Sequence, residues 1–196
     1  MSGYFLPFIS KETEKCFFPT DFERICSIYY FDSELRNLLS FAIEKIEVHL
    51  RSQLAYFHGH KYGPNGYMDN SSYNSKHNHA SFTKHINDCI RENKKTRIVQ
   101  HHIAHYNGRL PVWAIIDFFS VGMLSYFFRG MKNKDKATIA KDLYSVNYQT
   151  LESWLRCLTD LRNRCAHYSR LYYWIFPATP KMPSGEKCVP TRRLFA

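Results

Sequence analysis

Nowhere in this 196-residue sequence do apolar and polar residues alternate over a sustained stretch at the two-residue period of a strand, and there is no internal repeat. That argues against a sheet-built fold. A membrane-length apolar run is missing as well. The nearest, from Val112 to Phe128, falls short of the ~20 residues a span needs and is interrupted by Asp117, Ser120 and Ser125. The six cysteines, spread from Cys16 to Cys188, include no C-x-x-C pair, which argues against a zinc ribbon and a small disulfide framework. No signal-peptide pattern follows Met1, so reduced thiols and a cytoplasmic location are expected, with no membrane partner. H-E-x-x-H is absent, and His58, His60, His77 and His79 have no cysteines or acid pairs at ligand spacing. Neither a metal nor a cofactor is therefore expected. Acids are scarce too: 17 Asp and Glu against 27 Lys and Arg leave a formal net charge of +10. Such a balance favours an anionic partner, with nucleic acid ahead of an anionic surface.

What is present is apolar periodicity. Hydrophobic residues make up 44% and aromatics 16%, ample for a core. Pro19-Thr20-Asp21 suits a helix entry, with a helix from about 22 to 30. Asp32 reads as the N-cap of a second helix, from about 33 to 58. Its apolar stripe comprises Leu35, Leu38, Leu39, Ala42, Ile43, Ile46, Leu50 and Leu54. Glu47 and Arg51, four apart, share a face and can pair. Residues 59 to 78 form a long loop. A helix capped by Ser81 runs to about Lys94, another covers Arg97 to Tyr106, and Asn107-Gly108 stops it. The segment from Val112 to Met131 reads as one long central apolar helix, followed by a charged helix to Tyr144. The last helix, capped by Asn147, runs from about Tyr148 to Tyr168 on a stripe of Leu151, Trp154, Leu155, Leu158 and Leu161. Pro177, Pro180, Pro183, Gly185 and Pro190 then forbid regular helix. The expectation is an all-α bundle over residues 1–174 with an irregular, Pro-rich tail at 175–196.

One stretch concentrates chemistry. Residues 161 to 171, Leu-Arg-Asn-Arg-Cys-Ala-His-Tyr-Ser-Arg-Leu, hold three arginines, an asparagine and a histidine without one acid. A neutral imidazole can take the proton of a ribose 2′-OH, and an imidazolium can protonate the leaving 5′-oxygen. A guanidinium can hold the scissile phosphate and offset the charge that grows there. DNA has no 2′-OH, so this chemistry selects RNA. Arg162 and His167 lie about 140° apart on an ideal helix, whereas Asn163 and His167 share a face. Convergence on one phosphate needs a distorted helix end, a long arginine reaching round, or a second copy of the motif. By itself the pattern equally fits a basic helix end that complements its dipole.

The same segment resembles the signature of the AbiD/AbiF group of abortive-infection proteins, within the HEPN superfamily. Gly3-Tyr4-Phe5-Leu6-Pro7-Phe8 resembles that group's G-Y-x-x-P-F segment, and Ile46-Glu47-Val48-His49-Leu50-Arg51 its I-E-x-x-x-R helix. Leu110-Pro111-Val112-Trp113, with Gly122 and Ser125, resembles its P-x-W…G-x-x-S helix. The resemblance implies a HEPN-like helical bundle and a metal-independent endoribonuclease of anti-phage defence or toxin type, leaving cyclic phosphate ends. It also implies a homodimer whose two motifs form one site, and in some members a bound noncoding RNA. Carried over, Arg162, Asn163 and His167 are the catalytic candidates and Glu47 and Arg51 the supporting ones. Arg164, Arg170, Lys94, Lys95 and Arg97 are the candidate RNA contacts. A non-cleaving RNA-binding protein is the alternative. Tyr172-Tyr173-Trp174 departs from the group's usual aromatic-asparagine continuation, and a family portion ahead of Gly3 is missing, so a shortened member is expected.

Overall fold

Asp21 opens the first helix: its Oδ1 accepts from the Arg24 amide at 2.8 Å, and its backbone carbonyl from Ile25 at 3.4 Å. The computed structural model describes Tyr4 and residues 21–183; the apolar opening around Tyr4, the expected loop at 11–17 and the end of the tail lie outside them. From this start α1 runs unbroken over Phe22–Tyr62. The expected division at Asp32 does not occur. Asp32 is no N-cap but a fully buried mid-helix carboxylate, 0% exposed.

Six further helices follow among the described residues: α2 His79–Glu92, α3 Arg97–Tyr106, α4 Val112–Ile115, α5 Val121–Gly130, α6 Asn133–Tyr144 and α7 Tyr148–Ala166. The only extended pairing among them is an isolated bridge between Tyr73 and Met131. The fold is all-α. It divides into two compact units, one of residues 1–49 with 158–177, the other of 50–157 with 178–196.

In the first unit, Asp32 is the hub. Its carboxylate accepts the Tyr4 hydroxyl at 2.6 Å and the Arg36 guanidinium at 2.5 Å. It also accepts the backbone amides of Leu171 at 3.1 Å and Tyr172 at 2.8 Å. Burial of an ion is tolerable here because its lone pairs are filled, two of the donors being backbone groups that would otherwise be stranded. Ile25, Ile43 and Cys165 pack in the same interior. The expected apolar stripe is only partly right. Ile43 and Leu50 point inward, but Leu38 is 67% exposed, and Ala42 and Ile46 also face outward. Placing Asp32 and Arg36 inside rotates the helix away from the face the leucine pattern selects.

The second unit has the larger core, with Leu50, Leu54, Phe82, Ile86, Leu124, Phe127 and Phe128 at most 1% exposed. The expected single helix over Val112–Met131 is broken. A 3-10 turn at Ile116–Phe118 ends in extended backbone at Phe119, and Ser120 caps α5 by accepting the Met123 amide at 3.3 Å. The break exposes the Phe119 carbonyl, which Arg51 Nη2 satisfies at 2.9 Å. Asn78, rather than Ser81, caps α2. The segment between α1 and α2 is packed: Tyr67 donates to the Leu110 carbonyl and Tyr73 to the Tyr67 carbonyl, both at 2.7 Å. Asp135, 1% exposed, accepts from Lys61 and Tyr62. The described part of the tail lies along α7, where Trp154 Nε1 donates to the Lys181 carbonyl at 2.8 Å.

His58 is 0% exposed, and its ring nitrogens have no hydrogen-bond partner among the described residues. Burial lowers its pKa from 6.5 to about 4, against a smaller opposing pull from Asp135. Above pH 6.5 both folded and unfolded chains hold it neutral, so it contributes no pH dependence there. As pH falls from 6.5 towards 4 the unfolded chain takes up a proton that the folded chain refuses. Stability should fall over this window, by on the order of 3 kcal/mol from His58 alone. Urea denaturation across that range should show this slope, and His58→Phe should flatten it. In the first unit, Asp32→Asn leaves Arg36 buried beside a neutral amide. Denaturation should show a loss of about 3 kcal/mol.

Candidate active site

The basic segment sits where α7 ends. The helix stays regular through its last turn, with the His167 amide donating to the Asn163 carbonyl at 3.0 Å. Tyr168 then turns left-handed at φ 51°. Its amide bonds the Cys165 carbonyl at 3.2 Å, and the Ser169 amide bonds the Arg164 carbonyl at 2.9 Å. This pair of bonds is a Schellman motif with a tyrosine where glycine is usual. His167 is therefore the last residue on the helical path, fixed by bonds on both sides of it.

The side chains of the segment divide into two groups. Arg164 is braced internally: its Nη1 donates to the Arg170 carbonyl at 2.9 Å, and its guanidinium lies 3.1 Å from the centre of the Trp174 ring. Its pKa is lowered, first by burial and then by the charge of Arg170. Cys165 is buried, and burial pushes its thiol up, away from nucleophilic character. Leu171 is held on Asp32. By contrast, Asn163 and His167 are exposed and Arg162 half-exposed. Among the described residues neither Arg162 nor His167 makes a side-chain hydrogen bond or ion pair. The segment thus has an anchored side, Arg164, Cys165 and Leu171, and a presented side, Arg162, Asn163 and His167.

Because the helix is regular as far as His167, the roughly 140° between Arg162 and His167 stands. A distorted helix end does not bring them together. The first unit also presents apolar surface along α1. Phe31, Leu38, Phe41 and Val48 are 58%, 67%, 62% and 52% exposed, at spacings of seven, three and seven. That is the a/d rhythm of a helix that packs against another.

A family model for Abi-like proteins matches residues 1–173, nearly the whole chain. The chain belongs to the Abi-like protein family. Among curated proteins and among solved structures, none matches it.

The remaining sequence candidates of this Abi-like protein lie elsewhere on the helices. Glu47 is half-buried on α1 in the first unit. Arg51 is in the second unit, where it holds the Phe119 carbonyl. Lys94, Lys95 and Arg97 are exposed in and after the turn that separates α2 from α3. Arg170 is half-buried. His101 and His105 have rings 4.7 Å apart on α3, yet among the described residues no group of three or more His, Cys, Asp or Glu could hold a metal. No described helix is long and apolar enough to cross a membrane.

Two residues that shape the site went unread in the sequence. Asp32 carries a signal in hindsight, being an acid four before an arginine inside an apolar stripe. Trp174, the platform for Arg164, carries none, because nothing local links residues ten apart beyond a helix end. Tyr168 gives a direct check on the cap. It is 80% exposed, so its left-handed backbone is the main term a substitution changes. Tyr168→Gly should relieve that strain and raise stability by about 1 kcal/mol in thermal or urea unfolding.

Proposed function

We propose that this Abi-like protein is a metal-independent endoribonuclease of the HEPN type, related to the AbiD/AbiF group and serving abortive-infection defence in the cytoplasm. The observation that carries the reading is the presentation of His167 and Arg162 on a rigid helix end, with no acid or carbonyl engaging either side chain. His167 acts as the base on the ribose 2′-OH and, protonated, as the acid for the leaving 5′-oxygen. Arg162 holds the phosphate, and Asn163, on the His167 face, offers an amide to a non-bridging oxygen. The products carry cyclic phosphate ends. Membership in the Abi-like family supports the defence role.

Two protomers build the site. One helix end cannot aim Arg162 and His167 at one phosphate, so Arg162 of one copy serves with His167 of the other. The exposed Phe31, Leu38, Phe41 and Val48 of α1 belong to the same unit as the motif and fit a second copy. The basic turn of Lys94, Lys95 and Arg97 supplies affinity for the RNA backbone, whether substrate or a bound noncoding RNA. The same 140° separation supports the second reading, a non-cleaving RNA-binding protein, should the chain act as a monomer.

Purified protein should cleave single-stranded RNA in EDTA. His167→Ala should lower the rate at least a hundredfold while RNA binding changes less than threefold. Cleavage that survives in His167→Ala would refute the assignment, and intact RNA with the wild type would favour the binding-only reading. Phe41→Asp, at an exposed position, should leave the helical content unchanged yet shift the protein towards monomer in sedimentation and lower cleavage.

A further inference from the structure

The second unit contains a cavity of about 550 Å³ on which the proposed cleavage chemistry makes no demand. Its size falls in the range of small-molecule sites, roughly 300–1,000 Å³. Its wall is rigid because the chain before α2 docks on the end of α5. The Asn74 amide donates to the Gly130 carbonyl at 2.9 Å, and the Asn74 side chain donates to the carbonyls of Arg129 at 2.8 Å and Met131 at 3.0 Å. Gly130 permits this closeness, since a Cβ there would lie 2.4 Å from His77 Nδ1. The His77 ring in turn stacks on Tyr73 at 4.0 Å and 11°. The site is therefore preformed.

Its lining pairs cations with aromatic rings. The Arg129 guanidinium stands 5.4 Å from the centre of the Tyr126 ring, and Lys136 Nζ stands 4.8 Å from that of Tyr148. Lys136, 4% exposed, is already matched by Glu152 at 2.7 Å. Lys76 and Arg129 are exposed and have no ion-pair partner among the described residues, so the cavity keeps an excess of positive charge. Asn133, the first residue of α6, also lines it, and no side chain caps that helix. An uncapped helix start adds amide donors and a partial positive charge.

Flat aromatic surface beside excess positive charge suits a ligand that is both planar and anionic. An inorganic anion has no use for the tyrosines, and an apolar ligand none for Arg129 and Lys76. We infer that this cavity binds a nucleoside 5′-phosphate, with its base on Tyr148 and its phosphate against Arg129, Lys76 and the start of α6. The ligand is either a free nucleotide or one splayed unit of a single-stranded RNA; the chemistry recognised is the same.

Titration calorimetry on the full chain carrying His167→Ala, which keeps RNA intact, tests this with four probes. They are adenosine and uridine 5′-monophosphates, inorganic phosphate, and an eight-residue single-stranded RNA. At least one nucleotide-bearing probe should bind tenfold or more tighter than phosphate. Arg129→Ala combined with Lys76→Ala should weaken that binding tenfold or more. Tyr148→Ala should weaken it as much while leaving phosphate affinity unchanged. If the monophosphates show these losses, the source is a free nucleotide. If only the RNA does, the source is a unit of the chain. Binding no tighter than phosphate, or binding that both variants leave intact, overturns the inference. Circular dichroism confirms that the variants fold, their changes being at exposed or half-exposed positions. The readout is binding to a variant without His167, so failure here leaves the cleavage proposal standing.

Discussion

One buried carboxylate determines how the end of α7 is presented. Asp32 gathers a tyrosine hydroxyl, a guanidinium and two backbone amides that lie some 140 residues further along the chain. Those amides belong to Leu171 and Tyr172, four and five residues past His167. A carboxylate with four donors in a dry interior cannot release one without stranding charge, so the chain after His167 has one available path. Arg164 reinforces that path through the Arg170 carbonyl and the Trp174 ring. The reactive side of the helix end gains its fixed geometry from groups that do no chemistry themselves.

That fixed geometry has a consequence for mechanism. A flexible helix end could fold Arg162 and His167 around one phosphate, whereas this one holds them on divergent faces. The regular bond from the His167 amide to Asn163 removes local distortion as a way out. A site made of two copies reconciles an ordered motif with a reaction that needs both groups. The outward-facing residues of α1 give such an assembly an apolar surface. The cavity of the second unit adds a separate recognition element, so that holding RNA and cutting RNA need not fall to the same residues.

Much of this was legible in the sequence. Helix number, the α3 stop at Asn107-Gly108 and the Asn147 cap on α7 all follow from local chemistry, where turn residues and caps act over one or two residues. The family followed from ordered motifs spread along the chain. What failed was long-range. Asp32 looks like an N-cap because that role is the common one for an acid ahead of a leucine stripe; its true partners lie at Tyr4 and Leu171. Leu38 and Ala42 fit the apolar stripe by spacing, but burial of the Asp32–Arg36 pair turns α1 the other way. The break at Phe119 hides inside an unbroken apolar run, because its compensation comes from Arg51, far away in the chain. For the candidate site, sequence could name Arg162, Asn163 and His167 but could not separate them from the anchored Arg164.

The central claim is that two protomers share one cleavage site. Its most direct test is RNA cleavage by preparations in which wild-type and His167→Ala chains are co-expressed at known ratios, so that mixed dimers form freely. A shared site predicts that activity falls as the square of the wild-type fraction, since a mixed dimer lacks one of its histidines. Activity that falls only in proportion to that fraction would mean that each chain cleaves alone, and would contradict the account.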